Sequence, residues 1–413
     1  MDIFSVILYI LVFLSVYVQV FFLVTFFENR KKIITRESEI KLKDYPAVTI
    51  IVPCWNEEFT IDRTVHSLFD LHYPKDKLNI FLIDDGSTDG TLNVINKFVD
   101  YPNVKVFHKE NGGKHTALNL GLENLQTDYI SCLDADSVAD PESLVRMMSY
   151  FEKDPSIMAV APSIIVNNPK SILQKAQKAE YYMAVYIKKM LGFLGAIHVT
   201  PGPLTVFRRK VFIDLGPYRH AHNTEDMEIA YRMQKNGYKI EQCNDAYVYT
   251  NTPATVIKLY KQRVRWIYGF INNTIDYKGV ILKPKYGNFA LFTVPSGIIS
   301  IFAASYLFGK ALYFFGNFVY TKISLFQTLG LNFNFKSFTF DPFFINTKAF
   351  LFIIILLYTL VFISMFLGRK IAKAKNAISF DMFFYFFIFS IIAPFWLMKA
   401  VYNTIISKKP AWR

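Results

Sequence analysis

At 413 residues the chain exceeds the usual size of one domain core, which points to at least one soluble domain plus a membrane part. Its 46 Lys+Arg against 33 Asp+Glu give a formal net charge of +13, and much of that excess sits beside apolar segments, so anionic lipid headgroups fit it better than nucleic acid does. Cys54, Cys132 and Cys243 are isolated and lack metal-ligand spacing, which excludes a disulfide framework and indicates a reducing compartment.

The first predicted element, Ile3 to Phe27, carries no charge and stops at Glu28-Asn29-Arg30-Lys31-Lys32. Its length of about 25 residues suffices to cross a bilayer. No basic region precedes it and no small-x-small cleavage site follows, so residues 1–30 read as an uncleaved anchor rather than a signal peptide. The basic cluster places the amino terminus outside and everything from residue 30 to about 285 in the cytoplasm.

A soluble block over residues 44–255 alternates short β-branched runs with amphipathic stretches. Strands are expected at Val48 to Pro53, Ile80 to Ile83, Val104 to Phe107 and Tyr129 to Leu133, and helices at 58–70, 89–99 and Lys114 to Leu125. This alternation predicts an α/β fold with a mostly parallel sheet and ligands beyond the carboxyl ends of its strands. Pro53-Cys54-Trp55-Asn56-Glu57, Asp84-Asp85-Gly86-Ser87 and Asp134-Ala135-Asp136 each follow such a strand, so all three gather at one edge.

In an extended backbone Asp134 and Asp136 project to the same side. Two hard oxygen donors there can hold Mg²⁺ or Mn²⁺ against a diphosphate leaving group. Alone, such a pair is usually a solvated turn; the preceding strand makes the metal reading stronger. Asp84 and Asp85 can meet a uracil ring or ribose, while Ser87 or Asp89 can cap the following helix. After Gly112-Gly113, the amides and Lys114 can meet phosphate.

Thr224-Glu225-Asp226 precedes a helical stretch from Met227 to Asn236, with Thr224 as its cap. A carboxylate at that helix start can deprotonate an acceptor hydroxyl. Gln262, Arg265 and Trp266 share one helix face, within an amphipathic interface segment at 256–285. Arg265 suits a pyrophosphate and Trp266 a sugar ring, although the same pattern fits a helix at lipid headgroups. His198, His220 and His222 have no convincing ligand spacing and read as surface or acceptor-site residues.

The region 286–413 is expected to be membrane-embedded, with candidate spans at about 289–315, 349–368 and 382–405. Lys310 falls late in the first, while Pro394 and Lys399 interrupt the last. Three full crossings leave the carboxyl terminus outside, whereas Lys408-Lys409 argues for inside. Either one candidate is re-entrant or the Phe/Leu-rich stretch 325–345 also enters the membrane; an inside terminus is the expectation.

In this order, the motifs over about residues 46–270 resemble those of the membrane-bound processive family 2 glycosyltransferases, which make cellulose, chitin, hyaluronan and poly-N-acetylglucosamine. The resemblance implies a GT-A fold, a UDP-sugar donor, Mg²⁺ or Mn²⁺, and inversion in one displacement. It also implies a multi-pass protein of the cell membrane with a cytoplasmic catalytic domain and a polysaccharide or lipid acceptor, and leaves room for an accessory subunit. Pro53, Glu57, Asp84, Asp85, Lys114, Asp134, Gln262 and Arg265 then belong to the donor site, and Asp134 and Asp136 to the metal. Asp226 corresponds to the catalytic base with Glu225 beside it, and Trp266 and Gly202 to the acceptor site. Thr200-Pro201-Gly202-Pro203 departs from the Ser-Gly usual in that acceptor loop. A single-transfer enzyme acting on a lipid is the alternative, and a nucleotide-sugar sensor the more distant one.

Overall fold

The computed structural model describes residues 3–34, 42–329 and 349–410. Most of the 325–345 stretch lies outside the described residues. The elements run α1 (Ile3–Ile34), β1 (Val48–Cys54), α2 (Ile61–Phe69), β2 (Leu78–Asp85), α3 (Thr91–Asn96), β3 (Val104–Lys109), α4 (Lys114–Asn124), β4 (Tyr129–Cys132) and β5 (Ser137–Ala139). They continue with α5 (Ser143–Lys153), β6 (Ile157–Val166), α6 (Ile172–Phe193), β7 (Val206–Arg208), α7 (Lys210–Leu215), α8 (Glu225–Lys235), β8 (Lys239–Thr250), α9 (Val256–Asp276), α10 (Val294–Leu329), α11 (Ala349–Ile371) and α12 (Phe380–Ile405).

Two compact units divide the chain: Met1–Phe21 with Ser296–Ile363, and Phe22–Pro295 with Ser364–Arg413. The described residues of the first are apolar helix. Among the described residues four helices are long and apolar enough to cross a membrane, with candidate spans Val6–Ile33, Phe289–Ser324, Phe352–Ile371 and Phe380–Ile405. The last two of the expected spans agree to within a few residues, while the first runs on through the basic cluster to Ile33 and the second continues to Ser324.

The second unit holds an eight-stranded sheet in the order β3-β2-β1-β4-β7-β6-β8-β5. β1 and β2 are buried along almost their whole length, because helices cover both faces of the sheet. Val48, Ile50, Val52, Leu78, Ile80 and Leu82 form part of one core with Ile61, Val65 and Leu68 of α2. Apolar side chains of this kind contribute roughly 1.5–3 kcal/mol each when fully buried.

The sheet is mixed rather than simply parallel. β3, β2, β1 and β4 run parallel, but β7 is antiparallel to both β4 and β6, and β5 is antiparallel to β8. This reversal matters for the site. Because β7 returns beside β4, the loop that enters β7 lies at the carboxyl end of β4, where Asp134 and Asp136 follow. Leu204 N–H donates to Cys132 O at 2.6 Å and fixes that junction.

The last helix, α12, belongs to this second unit. Phe389, Trp396 and Ala400 pack into one core with Ala176 of α6 and with Leu259, Val264 and Tyr268 of α9. α6 opens on a capping box in which Ser171 Oγ accepts from Gln174 N–H, and Thr255 Oγ1 caps α9 by accepting from Lys258 N–H.

Candidate active site

The strand-end loops are joined first to one another. Asn56, left-handed at φ 55°, donates its N–H to Ser87 Oγ at 3.0 Å and accepts Thr88 N–H at its Oδ1 at 2.8 Å. The loops after β1 and β2 thus form one wall, with Pro53 at the end of β1 and Glu57 a turn beyond. Glu57 Oε2 accepts from Thr60 Oγ1 at 2.8 Å, and its backbone N–H donates to Thr91 Oγ1 at the same distance.

Asp84 and Asp85 are both buried and both engaged by the protein. Asp84 accepts from Ser87 N–H and meets His108 Nδ1 at 2.7 Å. Asp85 pairs with Lys109 at 2.7 Å and accepts the N–H groups of Gly112 and Gly113 at 3.1 and 2.9 Å. The glycine-pair amides, expected to face phosphate, are therefore directed at Asp85. A carboxylate next door outcompetes a loose ligand because the fold already holds it in place. The expected caps also differ. Asp89 Oδ1 accepts from Thr91 N–H, but no side chain caps α3 at Gly90. Thr224 makes no side-chain cap on α8 and donates instead to Ala221 O at 2.9 Å.

Lys114 lies at the centre of the site. Its ammonium sits 2.6 Å from Asp134 Oδ1 and 3.2 Å from Glu225 Oε1. Burial alone disfavours its charge, but Asp134, Glu225 and Asp226 outweigh that and hold the group well above its usual value. Gly202 presses on the same pair: a Cβ there would stand 2.6 Å from Lys114 Nζ and 2.9 Å from Asp134 Oδ1. Only glycine lets this loop approach so closely.

Asp226 opens α8 beside Glu225. Thr200 holds its backbone by donating both N–H and Oγ1–H to Asp226 O, at 3.2 and 2.9 Å. Burial, reinforced by the Glu225 charge, pushes the Asp226 carboxyl upward, while Lys114 and Arg265 pull against that shift. Such a carboxylate is a better base near neutral pH than an exposed one.

Asp136 is pushed up to about 7 by burial and by the charges of Asp134 and Glu57. Among the described residues no group of three or more His, Cys, Asp or Glu side chains is placed to hold a metal ion. Asp134 and Asp136 nonetheless suit a divalent cation: the charge of Asp134 adds to the cost of ionising Asp136, and Mg²⁺ or Mn²⁺ held by these hard oxygen donors would relieve that repulsion. The remaining ligand positions would fall to diphosphate oxygens and water.

From the other side come α9 and α6. Gln262 Oε1 is buried without a hydrogen-bond partner in the protein. Arg263 bonds Glu180 at 2.6 Å and lies 4.1 Å from the centre of the Trp266 ring, which is 36% exposed. Tyr181, half-buried, lies within the field of Arg263, Glu180, Asp136 and Asp134, which ties α6 to the metal-type carboxylates. Next on α6, Lys188 is pushed down to about 8 by burial, with Asp226 countering. His198 falls to about 4 through burial and then Lys188.

Sequence reading missed Glu180, Tyr181 and Lys188, which lie on a helix it did not assign. Lys188 follows Glu180 and Tyr181 by about two helical turns, and that spacing was the available signal. The structure brings together Asp134, Lys114, Gly202, Glu225, Asp226 and Arg265. It sets Asp84 and Asp85 into the supporting wall. His220 and His222 sit elsewhere, His220 against the His115 ring and His222 bonded to Asp276 at 2.8 Å.

Residues 49–216 match the family model described as Glycosyl transferase family 2. The chain is 32% identical over 272 residues to poly-beta-1,6-N-acetyl-D-glucosamine synthase of Staphylococcus aureus strain COL, covering 65% of this chain and 66% of that protein. The synthase of the same name from Staphylococcus epidermidis is 32% identical over 274 residues, with the same shares. The match thus spans 66% of the relatives' own length. In fold the chain is similar to a mannosyltransferase from Pyrobaculum calidifontis solved with GDP-Man and Mn²⁺, at a TM-score of 0.59 and 18% identity over 97% of this chain and 99% of that one. The mixed sheet with flanking helices is GT-A-like, as the motif order implied, and through residues 49–216 this chain belongs to glycosyl transferase family 2.

Proposed function

We propose that the chain is a membrane-embedded, inverting glycosyltransferase that moves a sugar from a UDP-sugar, with UDP-N-acetylglucosamine as first candidate, onto a growing polysaccharide. The observation that carries this reading is the convergence of Asp134, Lys114 and Glu225 at 2.6 and 3.2 Å, with Asp226 and Arg265 adjoining. The relatives named as poly-N-acetylglucosamine synthases support the donor and the product.

In the mechanism, Asp134 and Asp136 would hold Mg²⁺ or Mn²⁺, which when bound neutralises charge on the departing diphosphate. Lys114 and Arg265 place two further positive charges where that diphosphate leaves. Glu57 and Pro53 border the donor side, and Gln262 offers a buried amide oxygen that a bound ligand can satisfy. Asp226 takes the proton from the acceptor hydroxyl as that oxygen attacks the anomeric carbon and UDP departs. Glu225 keeps Lys114 in place. Trp266, stacked under Arg263, offers its exposed face to the acceptor sugar, and the Gly202 loop borders the acceptor beside Lys114.

The apolar helices support a multi-pass protein of the cell membrane with the sheet in the cytoplasm, and a requirement for added membrane extract would mark an accessory subunit. The test is UDP release by the purified chain in lipid, with Mg²⁺ or Mn²⁺, across a panel of UDP-sugars, with product size measured alongside. One donor turned over into a growing polymer is the expected result. A single sugar on a lipid would replace the polymer reading, and no turnover with any donor or added membrane extract would overturn the enzymatic one.

A further inference from the structure

The conflict over the carboxyl terminus turns on α12. Its contacts with the catalytic unit run from one end to the other. At its start, Asp381 lies 3.5 Å from Arg369, whose guanidinium stands 4.8 Å over the Tyr182 ring of α6. In its middle, Phe389 and Trp396 pack on Ala176, Leu259 and Val264. At its end, Asn272 of α9 donates to Thr404 Oγ1 at 3.3 Å, and Asn223 donates to Pro410 O at 3.5 Å.

Asp381 to Thr404 spans about 35 Å of helix, more than the roughly 30 Å hydrocarbon thickness of a bilayer. A helix that crossed the bilayer would carry one of these two contacts to the opposite side. Yet Tyr182 and Asn272 both belong to α6 and α9, which also carry the Glu180–Arg263 ion pair beside the active site.

The opposite face of α12 is apolar and exposed. Phe383, Phe387, Ile391, Phe395, Met398 and Tyr402 are all exposed, and at about 100° per residue they fall within one arc of roughly 120°. The buried Met382, Phe389, Trp396 and Ala400 lie on the other side of the helix. Such an uninterrupted apolar stripe fits acyl chains, not water. Its ends are basic, with Lys373 and Lys375 before the helix and Lys408 and Lys409 after it, and these charges complement anionic headgroups.

We propose that α12 lies along the headgroup–acyl boundary of the bilayer instead of crossing it, one face on the catalytic unit and the other in lipid. This rests on the membrane-embedded reading above. α1, α10 and α11 then make three crossings, and Arg30-Lys31-Lys32, Arg369-Lys370 and Lys408-Lys409 all fall on the cytoplasmic side, as the distribution of basic residues requires.

Nitroxide labels on Phe383→Cys, Ile391→Cys and Tyr402→Cys in the full chain, reconstituted in vesicles containing anionic lipid, test this. Phe383 and Tyr402 are about 28 Å apart along the helix. The expected result is high accessibility to oxygen, low accessibility to a water-soluble nickel chelate, and the same shallow depth at all three positions. Near-surface depth at the two outer positions with Ile391 at the midplane would overturn the proposal, as would water exposure at all three. In parallel, Ser407→Cys should react with an impermeant maleimide from the same side as Asp100→Cys in the catalytic unit; reaction from opposite sides would also overturn it. The three native cysteines are buried, and the unsubstituted chain sets the labelling background. A chain that alkaline carbonate strips from the vesicles would refute the membrane-embedded reading itself, whereas a retained chain with a depth gradient refutes only the placement of α12.

Discussion

Thr224 packs directly on the backbone of Gly269: a Cβ at 269 would collide with Thr224 Oγ1 and Cγ2. The helix that carries Gln262, Arg265 and Trp266 thereby sets where the chain enters Glu225 and Asp226. Asn273, one turn on, secures the contact by donating to Thr224 Oγ1 at 2.9 Å.

Gly269→Ala is accordingly expected to displace the Asp226 end of α8. Overpacking of this kind costs about 1–3 kcal/mol, and the transfer rate should fall by about tenfold or more. Thr224→Ala removes the two nearest atoms, so adding it to Gly269→Ala should recover part of the rate. If the double variant is no faster than the single one, the contact does not position the base.

Asp226→Asn should lower transfer by about 10²–10⁴-fold, the usual size of a general-base contribution. UDP binding, measured by calorimetry, should survive because the carboxylate faces the acceptor proton. Loss of both together would assign Asp226 to the donor site.

Asp134→Asn and Asp136→Asn should each abolish the stimulation of UDP release by Mn²⁺ titrated into a chelator-treated protein. Gly202→Ala should instead keep metal dependence and raise the donor KM several-fold, since its methyl would crowd Lys114 Nζ. Equal donor KM for Gly202→Ala and the parent chain would show that the ammonium shifts without consequence.

Glu180→Gln should loosen Arg263, which then stacks less firmly on Trp266. Acceptor KM is expected to rise several-fold while donor KM stays unchanged; a change confined to the donor would place this pair elsewhere in the mechanism.

His198 gives a pH dependence of stability. Its imidazole sits near 4 in the folded chain against an ordinary 6.5, so the unfolded chain binds the extra proton between these values. Its contribution is complete above about 6.5 and declines as pH falls toward 4. His198→Gln, melted in detergent across pH 4–7, should show a shallower loss of Tm than the parent, and parallel curves would refute the assignment.

The strand-end carboxylates Asp84, Asp85, Asp134 and Asp136 stood out in the sequence because each pair follows a short apolar run, and strands of an α/β sheet present their carboxyl-end loops at one edge. That local rule located Asp134, Asp136 and the wall of Asp84 and Asp85. It could not foresee that Asp85 would take the amides of Gly112 and Gly113, because that depends on a loop brought alongside β2 by β3. Nor could it assign Glu180, whose partner Arg263 lies 83 residues further along the chain.

By itself, then, the sequence determined the α/β character, the apolar helices and the carboxylate motifs, all written in neighbouring residues as periodicity, length and charge. Tertiary structure alone decided that β7 returns antiparallel and brings Gly202 onto Lys114, that Gly269 admits Thr224, and which face of α12 meets protein. A helix apolar all round carries no mark that separates a lipid-facing side from a protein-facing one; only the side chains of α6 and α9 packed against it make that distinction.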